Sequence, residues 1–403
     1  MRYYLCLFAL CSLGCGSSDT ATPDAAVPID AASSSDAGSV SSDAGSVETD
    51  GEVRIDSGSN LDGGSSTGGW VERTHPCPGI NRTDALHVDE DGTLWVGCGT
   101  GAVGRGLFRS VDRGIGWNQP ATELETMRIN SISRGSDGAL YVAGTEGPMV
   151  ARVDTSSTPM TVSPVLTSVT SVGRQFVVGA FRMRADGSAI AESLNGTDML
   201  YRPAGSSAVS AADWINAASA MSPAEQFLDL IVEGDRFIGV GSRISEPPML
   251  FLPSRSSGTE PYHFEKLVLS TAFDGELWGV AGNETRIVAV GVDQDADGGK
   301  IFVSGADIYD VSGYTEIDVG PLVSGSRTWA RGVCMRGERV VVVGEIQPLR
   351  SDTGFVLLSD DGGASFTDIT PPGVGDSVSK CVIQSDGSVV AAGARGWVGF
   401  YGP

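Results

Sequence analysis

Residues 337 to 344 read GERVVVVG, and this short stretch decides how the rest of the chain is interpreted. Its pattern of a turn signal, an apolar run and a closing glycine occurs six more times. The copies are DGTLWVGCG (91–99), DGALYVAG (137–144), GRQFVVG (173–179), GDRFIGVG (234–241), TRIVAVG (285–291) and DGSVVAAG (386–393). Asp-Gly pairs suit tight hairpins, and continuous apolar runs suit strands that are buried on both faces. The pattern therefore predicts a series of small, packed sheets.

The spacing of the copies predicts the architecture. Their closing glycines are separated by 45, 35, 62, 50, 53 and 49 residues, an average of 49. Repeats of ~40 to 50 residues with short strands are typical of β-propeller blades. Residues 70–403 are therefore predicted to form an all-β, seven-bladed β-propeller with about 48 residues per blade.

The two ends of this region predict how the ring closes. Only ten residues follow Gly393, enough for one strand but not for the outer strand of a four-stranded blade. The spare segment WVER (70–73) is therefore expected to supply that outer strand. Closure by an N-terminal strand would remove two free sheet edges.

The N-terminal residues predict export. Residues 1–15, MRYYLCLFALCSLGC, have one positive charge and then an apolar run too short to span a bilayer. The segment resembles a bacterial lipoprotein signal peptide, and the resemblance implies lipidation of Cys15. Ser12 stands where that family usually has Leu, so secretion with cleavage elsewhere is the alternative. The resemblance implies an outer-membrane lipoprotein of the cell envelope.

Residues 16–69 change abruptly to Ser, Asp, Ala and Gly, with SSDAGSV at 34–40 and again at 41–47. This composition cannot form a core and predicts a disordered tether with a span of roughly 40 Å. No other hydrophobic run has membrane-spanning length, so the lipid is expected to be the only anchor. The formal net charge of -23, without a block of Lys or Arg, argues against nucleic acid as a partner.

Four cysteines remain beyond the signal peptide, and an even number in an exported chain favours disulfides. Cys77 is expected to pair with Cys98, and Cys334 with Cys381, because each pair lies within one repeat or in neighbouring repeats. Four cysteines allow three connectivities, so other pairings remain open.

Two further stretches share a pattern: SVDRGIGW (110–117) and SDDGGASF (359–366). They resemble the Asp-box, or BNR repeat, of sialidase-like propellers. The residues that match are Ser110, Asp112, Gly114 and Trp117 in the first copy, and Ser359, Asp361, Gly363 and Phe366 in the second. The resemblance implies a structural motif on the periphery of the blades. Related propellers include sialidases, xyloglucanases, sortilin-type receptors and photosystem assembly factors, so it implies a fold and little about activity.

A candidate calcium loop lies at DQDADGG (293–299). Asp293, Asp295 and Asp297 alternate and Gly298 follows, as in the first half of a calcium-binding loop. Position twelve is Ser304 where such a loop has Glu, so a solvated Asp-Gly hairpin is the alternative. No motif requires a cofactor, and the sequence leaves the choice open between a weak structural calcium ion and the solvated hairpin.

Catalysis is left open by the sequence. The string nearest to a sialidase Arg-Ile-Pro signature, SRISEPP (242–248), falls in the fourth blade and has Ser245 in place of Pro. Three histidines without metal-ligand spacing argue against a catalytic zinc. We therefore expect a monomeric, non-catalytic binding or assembly module for a protein or glycan partner on the envelope. A carbohydrate-active enzyme is the alternative, and carboxylates with raised pKa around the central channel would favour it.

Overall fold

Seven antiparallel sheets follow one another along the chain. The structure, a computed structural model, describes residues 69–73, 75–77, 83–100, 103–167, 178–193, 199–207, 210, 214–217, 225–243, 246–255, 262–347, 353–372, 374, 377–393 and 397–402. All of these residues belong to one compact unit, Gly64–Pro403. The predicted signal peptide (1–15), its Cys15 and the tether (16–69, except Gly69) lie outside the described residues.

Each sheet is one blade, and its strands run outward from the centre in chain order. The first strand among the described residues, β1 (Trp70–Arg73), belongs to the last blade. Blade 1 contains β2 (Thr83–Val88), β3 (Leu94–Thr100) and β4 (Val103–Ser110). Blade 2 contains β5 (Arg128–Arg134), β6 (Leu140–Thr145), β7 (Val150–Asp154) and β8 (Thr161–Leu166). Blade 3 contains β9 (Val178–Met183), β10 (Ala189–Ser193), β11 (Met199–Arg202) and β12 (Ile215–Asn216).

The remaining blades follow the same order. Blade 4 contains β13 (Glu225–Glu233), β14 (Arg236–Arg243), β15 (Met249–Pro253) and β16 (Phe264–Val268). Blade 5 contains β17 (Gly275–Asn283), β18 (Arg286–Asp293), β19 (Gly298–Val303) and β20 (Thr315–Asp318). Blade 6 contains β21 (Thr328–Arg336), β22 (Arg339–Ile346), β23 (Thr353–Ser359) and β24 (Thr367–Asp368). Blade 7 contains β25 (Val378–Ile383), β26 (Val389–Gly393), β27 (Val398–Tyr401) and β1.

Helical structure in the described residues is limited to short turns. They include α1 (Gly320–Val323) and the 3-10 turns Thr122–Leu124 and Val311–Gly313. No helix in this part of the chain has the length and hydropathy to cross a membrane. The prediction of an all-β, seven-bladed propeller is confirmed.

The ring closes as the sequence predicts. Strand β1 pairs antiparallel with β27, with Trp70 opposite Tyr401 and Arg73 opposite Val398. The innermost strand of each blade contacts that of the next, and β25 of blade 7 contacts β2 of blade 1. The N-terminal strand therefore completes the last blade of a continuous ring.

The run of four valines in GERVVVVG shows why the apolar segments do not alternate with polar residues. Val340 and Val342 pack against blade 5, whereas Val341 and Val343 pack against blade 7. All four side chains have no exposed surface. Both faces of the strand are buried, and each valine contributes about 1.5 to 3 kcal/mol through removal from water. One apolar cluster lies at each of the seven junctions between neighbouring blades.

The third copy of the repeat lies one strand earlier than the others. Six closing glycines lie in the second strand of a blade, but Gly179 lies in β9, the innermost strand of blade 3. The second strand of that blade is β10, which ends at Ser193. Because Ser193 stands where the other second strands have glycine, the pattern selects Gly179 in the preceding strand. The number of blades is unaffected.

Candidate binding site in the central channel

The two Ser-x-Asp motifs form turns that are closed by their own side chains. In the first, Ser110 Oγ donates to Asp112 Oδ1 over 2.7 Å and accepts from the Gly114 N–H over 2.8 Å. Asp112 Oδ1 also accepts from the Gly116 N–H over 2.8 Å. Trp117 is half-buried against the cluster between blades 7 and 1. All four matched residues thus have local structural contacts.

The second motif repeats this geometry. Ser359 Oγ donates to Asp361 Oδ1 over 2.7 Å and accepts from the Gly363 N–H over 2.8 Å. Asp361 also receives hydrogen bonds from the Ser365 N–H and hydroxyl, over 2.9 and 2.6 Å. These bonds lower the pKa of the Asp361 carboxyl to about 2. Phe366 packs against the cluster between blades 5 and 6.

The three aspartates of the candidate calcium loop take separate partners. Asp293 Oδ1 accepts from the backbone N–H of Asp295 and of Ala296, over 2.9 and 3.0 Å. The Asp295 side chain accepts from the N–H of residue 274 over 3.2 Å, and Asp297 pairs with Arg327 over 2.7 Å. Across the described ranges, no three His, Cys, Asp or Glu side chains are grouped to hold a metal ion. Calcium binding stays a prediction, and it would require Asp297 to leave Arg327.

The four cysteines lie in the two expected pairs. Cys77 and Cys98 form a disulfide with Cα atoms 5.5 Å apart. It fastens the segment between β1 and β2 to blade 1. Cys334 and Cys381 form the other, with Cα atoms 5.8 Å apart, and it joins the innermost strands of blades 6 and 7.

A β-bulge occurs once in the innermost strand of every blade. At each bulge the pairing with the second strand skips one residue. The skipped residues, which we call the bulge ring, are Asp84, Asn130, Gly179, Leu228, Trp278, Arg331 and Ser379. Bulges redirect a side chain out of the ladder and are frequent beside functional sites. The bulge ring therefore places seven chemically different residues at equivalent positions around the channel.

The bulge ring lies towards one end of the propeller. The innermost strands begin at this end and the second strands finish there, as Gly275 opposite Asp293 shows. We call this end the loop face, because the connections that follow the closing glycines leave from it. The two Ser-x-Asp motifs are at the other end, since Ser110 pairs with Leu94 and Ser359 with Val340 at the start of second strands.

A cavity of ≈ 270 Å³ occupies the centre of the ring. Three consecutive members of the bulge ring, Trp278, Arg331 and Ser379, contribute to its lining. Charges of both signs share the lining: Arg182, Arg331 and Lys380 are basic, and Asp229 and Glu233 are acidic. Glu345, which lies outside the lining, pairs with Arg331, so the channel contains an indole ring and mixed polar groups whose charges nearly balance.

Two glycines bring blades 5, 6 and 7 close together beside this cavity. A Cβ atom on Gly279 would lie 3.1 Å from the Gly332 Cα, and one on Gly332 would lie 2.6 Å from the Ser379 carbonyl oxygen. Each glycine directly follows a member of the bulge ring. Close approach of these backbones therefore sets Trp278, Arg331 and Ser379 side by side.

Arg331 is held in place on three sides. Its guanidinium carbon lies 4.1 Å from the Trp278 ring centroid and 4.6 Å from that of Trp329. Its Nη2 donates to Glu345 Oε1 over 2.6 Å. Trp278 is fixed in turn, because its Nε1 donates to Glu276 Oε2 over 2.8 Å. Cation–π stacking together with a charge-assisted hydrogen bond gives a preorganised planar donor beside an indole.

A second polar group lies across the ring in blades 2, 3 and 4. Arg182 donates to Ser131 Oγ over 2.7 Å, and its Nη2 lies 3.7 Å from Asp229 Oδ1. Nearby Glu192 is buried, and only its Oε2 has a partner among the described residues, the Ala180 N–H at 3.1 Å. Burial raises the pKa of Glu192 well above its ordinary value, and the Asp229 charge adds to the rise. Burial therefore favours the neutral acid of Glu192 relative to that of an exposed glutamate.

The sequence analysis did not find Trp278, Arg331 or Ser379. A signal exists, because Leu228, Trp278 and Arg331 each precede the closing glycine of their blade by thirteen residues. Gly279 and Gly332 follow the last two of these. This thirteen-residue spacing identifies bulged residues only when the strand pairing is known, because a bulge is defined by the register between two strands.

Comparison with solved structures identifies propellers of other proteins. YCF48 from Cyanidioschyzon merolae has a TM-score of 0.56 and 13% identity, over 83% of this chain and 99% of its own. YCF48 bound to D1 peptide has a TM-score of 0.54 and 14% identity, over 83% and 97%. Selenomethionine-substituted virginiamycin B lyase from Staphylococcus aureus has a TM-score of 0.58 and 9% identity, over 83% and 99%. At these identities the likeness shows the fold alone. No family model matches the sequence, and no curated protein sequence matches it.

Proposed function

We propose that the protein is a non-catalytic binding or assembly module, held at the cell envelope, which recognises a protein or glycan partner through its loop face. The observation that carries the proposal is the Trp278–Arg331–Glu345 arrangement in the channel. Such an arrangement is not needed to hold blades together, because apolar clusters lie at all seven junctions. Aromatic rings and arginine are the residues that contribute most to recognition surfaces.

The proposed location rests on the sequence. Lipidation of Cys15 would anchor the chain to the outer membrane, and residues 16–69 would hold the propeller away from the lipid surface. If cleavage occurs elsewhere, the same module is secreted. A formal net charge of -23 disfavours nucleic acid as the partner, and we propose that the chain acts as a monomer.

Binding can be tested with the full chain on intact cells. We expect photo-crosslinking from a probe near the loop face to capture one dominant partner, and Arg331→Gln to weaken that capture. Arg152→Gln is the matched control, because Arg152 is an equally exposed arginine paired with Asp137 at 2.7 Å on blade 2. Equal capture by both variants would contradict a role for the channel.

A glycoside hydrolase is the second candidate, and Glu192 is the observation that favours it. A carboxyl group with a raised pKa near an acidic neighbour is the arrangement that general acid catalysis requires. However, Glu192 is only 2% exposed and does not contribute to the cavity lining, whereas Asp229 does. Release of reducing sugar from a polysaccharide panel, abolished by Glu192→Gln, would establish the enzyme and overturn the proposed function.

A further inference from the structure

The bulge ring departs from the repeat in a way that packing does not explain. Its seven members occupy equivalent positions in seven similar strands, yet they include an acid, an amide, a glycine, an aliphatic residue, an indole, a guanidinium and a hydroxyl. Positions that vary in chemistry within a repeated framework are where specificity resides in repeat proteins. Three of these members are adjacent and contribute to the lining of the same cavity: Trp278, Arg331 and Ser379.

Arg331 retains donors for a ligand. A guanidinium has five N–H donors, and one of them bonds to Glu345. In the part of the chain that the structure describes, Arg331 has no other hydrogen-bond partner. About 30% of its side chain is exposed, and it forms part of the cavity lining. Its remaining N–H groups can therefore donate hydrogen bonds to a ligand in the channel. Contacts with Trp278, Trp329 and Glu345 fix the plane of the guanidinium.

The charges around the cavity select a neutral ligand. Arg182 has Asp229 beside it, and Glu345 balances Arg331. Glu233 and Lys380 add one charge of each sign to the lining. A polyanion or a polycation would meet like charges there and would also have to break existing pairs. A neutral molecule with many hydroxyl groups meets neither cost.

The shape of the lining fits one end of such a molecule. An indole face packs against apolar C–H groups, while an arginine and a serine hydroxyl hydrogen-bond to polar groups at the edge of the same ring. The volume of ≈ 270 Å³ is near the lower limit of small-molecule sites, ~300 Å³, so it suits a single ring.

We propose that Trp278, Arg331 and Ser379 form a binding site for one neutral sugar residue. Its C–H face packs on the indole of Trp278, and its hydroxyl groups accept from Arg331 and donate to the Ser379 hydroxyl, whose own proton is directed to the Thr83 carbonyl over 3.4 Å. This inference rests on the proposed binding function and specifies the ligand class. It assigns Glu345 and Trp329 as positioning residues, which hold the guanidinium and do not touch the sugar.

The test is calorimetric titration of the full chain with glucose, galactose, mannose and N-acetylglucosamine, singly and as their β-linked disaccharides. We expect saturable binding of at least one neutral sugar and none of N-acetylneuraminic acid or glucosamine. Trp278→Ala should weaken binding by about tenfold or more, and Trp278→Phe by less, because the phenyl ring keeps a stacking face. Arg331→Lys should also weaken binding, since an ammonium cannot reproduce the planar donors.

Two control variants separate the site from a general loss of structure. Arg152→Gln removes an arginine from β7, the third strand of blade 2, and Trp397→Ala removes a half-buried tryptophan directly before β27 of blade 7. Neither residue contributes to the cavity lining, so sugar affinity should be unchanged. Absence of binding by every neutral sugar, or equal affinity in Trp278→Ala and Trp397→Ala, would overturn the inference. Capture of a protein partner that still depends on Arg331 would then leave the proposed binding function standing. If no neutral sugar binds and partner capture does not depend on Arg331, both proposals are wrong.

Discussion

The indole N–H of Trp70, in the N-terminal strand of the propeller, donates a hydrogen bond to the carbonyl of Ile369, at the end of blade 6. The same indole packs on Trp397 and Tyr401 of blade 7, with ring centroids 5.6 and 5.4 Å apart. The Trp70 side chain therefore links blades 6 and 7, and we expect its removal to destabilise both blades.

We expect Trp70→Ala to lower the free energy of unfolding by about 2 kcal/mol, roughly half the cost of truncating a fully buried tryptophan, because Trp70 is half-buried. Urea denaturation measures the change. Val71→Ala is the control, since Val71 is 44% exposed on the same strand and should cost little. Deletion of residues 70–73 should lower the thermal midpoint further. Equal stability of the deletion variant and the full chain would contradict closure by β1.

Asp361→Asn should make the thermal midpoint of the protein less dependent on pH in the acid range. Hydrogen bonds from Ser365 and Ser359 hold the pKa of Asp361 at about 2, below its ordinary value of 3.8. A lowered folded-state pKa stabilises the fold above pH 3.8, and this contribution is lost as the pH falls towards 2. The asparagine variant should therefore have a lower thermal midpoint at pH 7 and a smaller decrease between pH 4 and pH 2. Ser365→Ala should give an intermediate slope, and a slope unchanged in both variants would refute this account.

Glu192→Gln should raise stability at neutral pH. Burial raises the folded-state pKa of Glu192 above its ordinary value of 4.5. The stabilisation from this group is complete below pH 4.5 and is lost as the pH rises through the folded-state pKa. Glutamine keeps the acceptor for the Ala180 N–H without a charge. At neutral and higher pH, the thermal midpoint of the variant should therefore be higher than that of the unmodified protein, and at pH 4 the two should differ little. Glu345→Gln, equally buried but paired with Arg331, should instead lower the midpoint at pH 7 because it leaves a cation without its counter-charge.

Gly332→Ala should destabilise the junction of blades 6 and 7. The added Cβ would lie 2.6 Å from the Ser379 carbonyl oxygen, a backbone atom that cannot turn away. Overpacking of this kind costs about 1 to 3 kcal/mol. Gly298→Ala, whose Cβ would meet nothing within 4 Å, serves as the control in the same denaturation experiment. A stable Gly332→Ala protein with unchanged midpoint would show that the innermost strands are not close-packed there.

The fold was predictable because its signals are local. Each apolar run between turn residues identifies one blade, and the count of residues left after Gly393 identifies the closing strand. Blade 3 marks the limit of this reasoning, since Ser193 replaces the expected glycine and shifts the apparent repeat to Gly179. The candidate site was not predictable in the same way. Trp278 and Arg331 look like ordinary strand residues until the register of β17 with β18, and of β21 with β22, shows that both are skipped.

Closure by the first strand also sets the order in which the domain is completed. Trp70 and its partner Ile369 are 299 positions apart, so the first strand to be made must wait for nearly the whole propeller before its pairing surface exists. Until β25 and β26 are made, the side chains of Val341 and Val343 that face blade 7 have nothing to cover them. Contacts this distant in sequence form slowly and leave apolar surface open to aggregation in the interval. We therefore expect the seven repeats to fold as one unit, since a chain that ends before β27 lacks the strand with which β1 pairs.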